Sequence, residues 1–215
     1  MNIVVLISGK GSNLEAIAKA CQKGKIKGNI KLVISNKKEA LGLKIAENFG
    51  IPAEFHDPSL FSSREDYDKH LIKRISEESP DLVILAGYMR ILSEKFIKSF
   101  EGKLLNIHPS LTPAFKGLNA QRQAVEYGVK FSGCTVHFVT TDLDAGPVIV
   151  QAVVPLLPED NEKTLSEKIR RYEHRIYPQA IKWISEGRVR QKGRTVVVEG
   201  AKYGSLPVNP DLEDF

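Results

Sequence analysis

Apolar positions along the chain fall into short β-branched runs separated by stretches of helical spacing. Asn2 to Ser8 (NIVVLIS) reads as a first strand, closed by Ser8-Gly9-Lys10-Gly11-Ser12. From Asn13 the period changes, and Leu14, Ile17, Ala18 and Cys21 share one helical face. Ile30 to Ser35 gives a second strand, and Ala40 to Phe49 a helix stopped by Gly50 and Pro52. Ser63 to Glu78 reads as a longer helix that opens on a Ser63/Asp66 cap and carries Tyr67, Leu71, Ile72 and Ile75 at helical spacing. Leu82 to Ala86 is continuously apolar, as a strand covered on both faces requires.

Strands alternating with helices imply an α/β fold with a doubly wound, mostly parallel, Rossmann-like sheet. Right-handed crossovers would gather the loops Ser8 to Asn13, Gly87 to Arg90 and Asn106 to Pro113 at one carboxyl edge, where such sheets carry their chemistry. After a strand at Lys103 to Ile107 the pattern loosens. Asn119 to Tyr127 reads as helix, Gly133 to Thr140 and Val148 to Leu156 as strands, Lys163 to Glu186 as a long helix, and Arg194 to Glu199 as a late strand. The expectation is a single domain with a β-richer second half: a catalytic part over residues 1–187, then an extension over 188–215 whose Pro- and acid-rich end, Leu206 to Phe215, is mobile.

Composition narrows the class without naming it. Of 215 residues 42% are hydrophobic and 27% charged, ordinary for a globular protein. No apolar stretch approaches the roughly 18 to 20 residues of a membrane span, and Met1 to Gly9 has no leader-like pattern, so the expected location is cytoplasmic. Cys21 and Cys134 stand far apart, which argues against a disulfide scaffold or a cysteine-based zinc site. The net charge of +5 is dispersed, with no arginine-rich tract, so it reads as surface charge rather than a nucleic-acid footprint.

The loop Gly9 to Asn13 sits where a strand hands over to a helix, a place that suits an anion. It lacks the third glycine of a dinucleotide fingerprint, since Leu14 stands there, and Ser35-Asn36-Lys37-Lys38 supplies no ribose carboxylate. Two readings stay open: a tight turn capped by Asn13, or a single-phosphate pocket built from the N–H groups of Gly11, Ser12 and Asn13. In Leu104 to Ser110 (LLNIHPS), strand alternation turns Asn106 and His108 to the same side. An amide N–H₂ and an imidazole aimed together suit an oxyanion forming on a carbonyl carbon, and the histidine can move the proton of an attacking amine. Thr140 to Pro147 supplies Asp142 and Asp144, either of which could pair with His108; the residues alone leave the two equal. Ser110 has no nucleophile-elbow glycines, and no compact His/carboxylate cluster suggests a metal.

Taken in order and spacing, Ser8-Gly9-Lys10-Gly11-Ser12-Asn13, Met89-Arg90-Ile91-Leu92, Asn106-Ile107-His108-Pro109-Ser110-Leu111, Gly133-x-Thr135-Val136-His137 and Asp144-x-Gly146-Pro147 resemble the phosphoribosylglycinamide formyltransferases. The resemblance to this folate-dependent family of purine synthesis covers about residues 1–187. It implies that the amine of phosphoribosylglycinamide attacks the formyl carbon of 10-formyltetrahydrofolate, the co-substrate. Asn106 and His108 would stabilise the tetrahedral oxyanion, His108 would donate the proton, and Asp144 rather than Asp142 would hold His108. Gly11, Ser12 and Asn13 would bind phosphate, with Arg170 and Glu173 at the ribonucleotide. Arg64, Met89, Arg90, Ile91, Leu92, Asn106, Thr140, Thr141, Asp142 and Leu143 would line the folate site. No metal, covalent enzyme intermediate, nucleic acid or membrane is implied, and the protein would be a monomer or homodimer.

The sequence departs from the family pattern at Lys10, Thr112 and Arg170, none of them in the catalytic trio. A methionyl-tRNA formyltransferase would be expected to carry a further C-terminal domain, and a formyltetrahydrofolate hydrolase an N-terminal one. A nucleotide sensor would not need the trio together. A NAD-dependent dehydrogenase would need the missing third glycine.

Overall fold

Ile3 to Ile7 are all fully buried in β1 (Asn2–Ile7), so this strand needs neighbours on both edges and cover on both faces. Parallel pairing supplies the edges: β1 lies between β2 (Asn29–Ser35) and β4 (Leu82–Leu85). Beyond β2 lies β3 (Ala53–Phe55), and beyond β4 lies β5 (Leu104–His108). The order is therefore β3-β2-β1-β4-β5, with every strand parallel. This is the α/β, mostly parallel arrangement expected from the alternating pattern. The computed structural model describes residues 1–213.

Helices α1 (Ser12–Gln22), α2 (Leu41–Asn48), α3 (Arg64–Glu77) and α4 (Glu94–Ser99) make the crossovers, α1 packing on α2 and α3 on α4. The chain runs outward from β1 to β3 and then returns to β4 on the other side of β1. That reversal makes the gap between the carboxyl ends of β1 and β4 the topological switch point, where open α/β sheets bind ligands. Helix α3 starts where its cap dictates: the Ser63 hydroxyl accepts from the Asp66 N–H at 3.0 Å, and Glu65 and Asp66 face the positive helix end.

The chain's contacts divide it into two compact units, Met1–Asn106 and the residues from Ile107 onward, so β5 begins in the first and ends in the second. No Gly- or Pro-rich linker marks that boundary. The second unit is built on an antiparallel pair, β6 (Phe131–Phe138) and β7 (Val148–Pro155), with α5 (Ala120–Tyr127) before it. Helix α6 (Glu162–Ser185) packs on both strands and buries Leu165, Ile169, Ile176, Ala180 and Trp183. Asn161 and Thr164 close a capping box at its start. A hairpin of β8 (Val189–Lys192) and β9 (Thr195–Val198) follows, and β9 packs on β7.

The segment expected to be a mobile tail carries β10 (Val208–Asn209), paired antiparallel with β7. Glu213 ties it further, accepting from Trp183 Nε1 at 3.0 Å and pairing with Lys182 and Arg188, each at 2.7 Å. Burial opposes ionisation of Glu213, but the hydrogen bonds from Lys182, Trp183 and Arg188 outweigh it and hold its carboxyl down to about 2. Asp214 and Phe215, the end of that expected tail, lie outside the described residues. Among the described residues no helix is long and apolar enough to cross a membrane.

Candidate active site

In the first unit the loops after β1, β2 and β4 are stitched together at the switch point. The Ser8 N–H donates to the Gly87 carbonyl at 3.1 Å, the Ser8 hydroxyl donates to Asn36 Oδ1 at 2.5 Å, and the Met89 N–H donates to the same hydroxyl at 2.7 Å. Gly11 is the N-cap of α1, with φ at 74° and no side-chain capping bond, which corrects the alternative that made Asn13 the cap; Asn13 lies in the first helical turn. A Cβ on Gly11 would stand 2.5 Å from Gly42 Cα, so glycine is required there both for its dihedral and for its closeness to α2. Ser12 and Asn13 stand in the first turn, whose N–H groups face the N-terminal end of the helix.

The segment Met89 to Leu92 is fixed from below by Asp68, a nearly fully buried carboxylate of α3 that accepts from the Ser93 N–H at 2.6 Å. Arg90 lies over the Tyr67 ring at 4.9 Å, whereas Met89 and Ile91 are 60% and 64% exposed. Arg64, at the start of α3, is exposed and pairs with its neighbour Glu65.

Strand β5 carries Asn106, half-buried, and His108, 4% exposed. In the second unit the surroundings of His108 are specific. Its Nε2 lies 2.8 Å from the Phe115 carbonyl and its Nδ1 lies 3.3 Å from Asp144 Oδ2. Both ring nitrogens face oxygen acceptors, so each contact is a hydrogen bond where that nitrogen carries its proton. Asp144 Oδ2 also accepts from the Gly117 N–H at 2.9 Å, which leaves Asp144 held from two sides. Asp142, the other carboxylate of the pair, is exposed on the same loop.

The turn after β5 is pinned to the β6–β7 pair. Thr135 donates to the Ser110 carbonyl at 2.7 Å and accepts from the Thr112 N–H, and Gln151 reaches both Thr112 and Thr135. Ser110 donates to the Ala114 carbonyl, an engagement at odds with a nucleophile. Gly133 must be glycine because a Cβ would fall 1.9 Å from the Ala152 carbonyl oxygen. The Gly133-x-Thr135-x-His137 spacing thus sets a close strand contact, a turn anchor and a histidine on alternate residues.

His137, to which the sequence assigns no role, stands on the other side of Asp144. Its Nδ1 donates to the Phe138 carbonyl at 2.9 Å and its Nε2 lies 3.9 Å from Asp144 Oδ1. Burial pushes its pKa down and the nearby His108 adds to this, outweighing the Phe138 carbonyl and Asp144, which push it up. A histidine kept neutral in the fold stabilises fully above its unfolded value of about 6.5, and that contribution is lost as pH falls through the lower folded value. Thermal unfolding between about pH 7 and pH 5 should therefore show a falling melting temperature, with a shallower slope in His137→Gln. Equal slopes in the two proteins would remove His137 from that account.

The loop Thr140 to Pro147 joins β6 to β7. Thr140 donates to the Asp142 carbonyl, while Thr141, Asp142 and Leu143 are exposed. Asp144 takes φ 46°, and Gly146 runs so close that a Cβ would lie 1.7 Å from the Phe138 carbonyl oxygen. On α6, Arg170 and Glu173 are both half-buried, and the Glu173 carboxylate acts electrostatically on the buried Cys134, whose thiol burial drives upward. Among the described residues no group of three or more His, Cys, Asp or Glu side chains is arranged to hold a metal ion.

The formyl transferase family model matches residues 1–181. The chain is 48% identical over 202 residues to the phosphoribosylglycinamide formyltransferase of Escherichia coli (strain K12), covering 94% of this chain and 95% of that one. It is 43% identical over 198 residues to the protein of the same name from Haemophilus influenzae, covering 92% and 93%. Among solved structures, the glycinamide ribonucleotide transformylase 1 of Symbiobacterium toebii superposes with a TM-score of 0.90 at 48% identity, over 92% of this chain and 93% of that one.

Proposed function

Since the chain belongs to the formyl transferase family, in its phosphoribosylglycinamide branch, and transfers a formyl group in purine biosynthesis, we propose that 10-formyltetrahydrofolate is its donor and the amine of phosphoribosylglycinamide its acceptor. The amine nitrogen attacks the formyl carbon and forms the new C–N bond, and the carbonyl oxygen becomes an oxyanion. The Asn106 amide and the His108 ring stabilise that oxyanion. Collapse breaks the bond to the folate nitrogen, which takes up a proton as the amine loses one, giving the N-formyl product and tetrahydrofolate. His108 carries this proton, and Asp144 holds and orients the ring.

The observation that carries the reading is the His108 ring held between the Phe115 carbonyl and the Asp144 carboxylate. To reach a formyl group, Nε2 exchanges the Phe115 carbonyl for the substrate. Gly11, Ser12 and Asn13 hold the substrate phosphate at the start of α1, where N–H groups and the helix dipole favour an anion. Lys10, exposed beside that loop, adds positive charge, and Arg170 and Glu173 contact the ribonucleotide. Arg64, Met89 to Leu92 and Thr140 to Leu143 form the folate contacts. The exposed apolar surface of Met89 and Ile91 in the first unit, and of Leu143 in the second, supports that assignment.

The test follows folate deformylation by absorbance, with and without phosphoribosylglycinamide. Turnover is expected only with the amine present. Deformylation at the same rate in its absence would overturn the transferase reading in favour of a hydrolase.

A further inference from the structure

The hairpin β8–β9 plays no part in the mechanism above, yet its tip touches the loop that carries Asp144. The strands pair from Val189↔Val198 to Lys192↔Thr195, leaving Gly193-Arg194 as a two-residue turn with Gly193 at φ 59°. From this turn the Arg194 guanidinium donates through Nη2 to the Ala145 carbonyl at 2.7 Å. Ala145 is the residue directly after Asp144.

The base of the hairpin is held firmly. Arg188 donates to the Glu199 carbonyl at 2.7 Å and pairs with Glu186 and Glu213, and Arg190 pairs with Glu199 at 3.0 Å. The tip is therefore carried on a braced arm. The loop it reaches is already constrained at Gly146, which lies against the Phe138 carbonyl, and at Asp144, a non-glycine residue at φ 46°. A backbone in that region is costly for an L residue and persists only when its surroundings hold it. On one side the Asp144 carboxylate accepts from the Gly117 N–H and lies 3.3 Å from His108 Nδ1. On the other, the Arg194 bond to Ala145 fixes the peptide that leaves Asp144.

We propose that Arg194 is a positioning residue for the formyl-transfer reaction: by holding the Ala145 carbonyl, it sets the backbone from which the Asp144 carboxylate meets His108. This rests on the assignment of Asp144 and His108 to catalysis. Arg194 itself is exposed and touches no reacting atom, so its effect passes through Asp144. Misplacing a group that orients the proton carrier lowers turnover more than it lowers affinity.

The experiment measures kcat and KM for both substrates in Arg194→Ala, Arg194→Lys, Asp144→Asn and the double variant Arg194→Ala/Asp144→Asn. Single turnover with enzyme in excess serves the slow ones, and melting temperatures are recorded alongside. Arg194→Ala is expected to lower kcat about fivefold to twentyfold with the KM for phosphoribosylglycinamide within about twofold. Arg194→Lys, which keeps a donor long enough to reach the carbonyl, should recover kcat to within about twofold of the parent. In the Asp144→Asn background, Arg194→Ala should change kcat by less than about twofold, because residues acting through one another do not add. A wild-type kcat in Arg194→Ala overturns the proposal, as does a full effect persisting without the Asp144 carboxylate or a change confined to KM. If Asp144→Asn itself turns over at the parent rate, the catalytic reading beneath the proposal falls with it.

Discussion

Alanine in place of His108 is expected to lower kcat by about 10²- to 10⁴-fold, the range that a positioned proton-transfer group supplies, while the protein stays folded. The ring meets both the Phe115 carbonyl and the Asp144 carboxylate, so its loss removes the proton carrier from that position. Folding should survive because Asp144 keeps the Gly117 N–H, and because the turn after β5 is held separately through Thr135 and Gln151. An unpaired carbonyl and a small cavity should cost about 1–3 kcal/mol, lowering the melting temperature by several degrees. Steady-state kinetics beside a circular-dichroism melt check both halves. A parent-like kcat in a folded His108→Ala would sink the mechanism.

The next largest effect is expected from a single methyl group. In Gly146→Ala the new Cβ would lie 1.7 Å from the Phe138 carbonyl oxygen and 2.9 Å from its carbon, distances that no side-chain adjustment relieves because both atoms are backbone. The Phe138 N–H is itself bonded to the Pro147 carbonyl at 3.0 Å, so strand and loop cannot part without losing that bond. The loop must shift by an ångström or more, and Asp144, two residues earlier, shifts with it. Misplacement of about 1 Å costs about 10²-fold in rate, so kcat should fall by at least that factor. His108 is untouched, and the melting temperature should drop as the β6–β7 connection loosens. Gly146→Ala with parent kinetics would show that the approach to Phe138 does not govern the position of Asp144.

These two sites also mark how much of the structure is legible in the chain. β1 and β4 are legible because strands buried on both faces must be apolar at every position, and α3 because its cap is written in Ser63 and Asp66. β3, three residues long, and α4, six, are too short for a period to emerge. β8 (VRQK) carries three exposed polar residues, and β10 spans only two residues, so neither has an apolar run to announce it. Their strand character comes from pairing partners distant in sequence or from a hairpin turn.

At the site, Asn106 and His108 are legible from strand alternation alone. Asp144 and Asp142 are not distinguishable by local chemistry, and the family resemblance selected Asp144. What separates them physically is a backbone dihedral, φ 46° at Asp144, which brings that carboxylate to His108 while Asp142 stays exposed. No side-chain pattern encodes that turn except the nearby Gly146, whose need for glycine shows only when Phe138 is seen beside it. The Asn13 cap failed for a related reason. A residue of good capping type was present, but Gly11 already occupied the cap with a conformation that suits glycine. The sequence places His137 in the family motif and Arg194 in a late strand but gives neither a role, because their partners are set by the return of distant strands.

Trp183 is the single tryptophan of the chain, fully buried on α6, with its indole N–H given to Glu213. The protein therefore carries its own optical reporter, and that reporter sits in the second unit alone. Its emission follows the release of Glu213 and the loosening of α6, and is blind to the first unit except through whatever cooperativity links the two. Fluorescence and far-ultraviolet dichroism recorded on the same sample thus answer different questions, and the gap between their midpoints measures how independently the halves of this chain come apart.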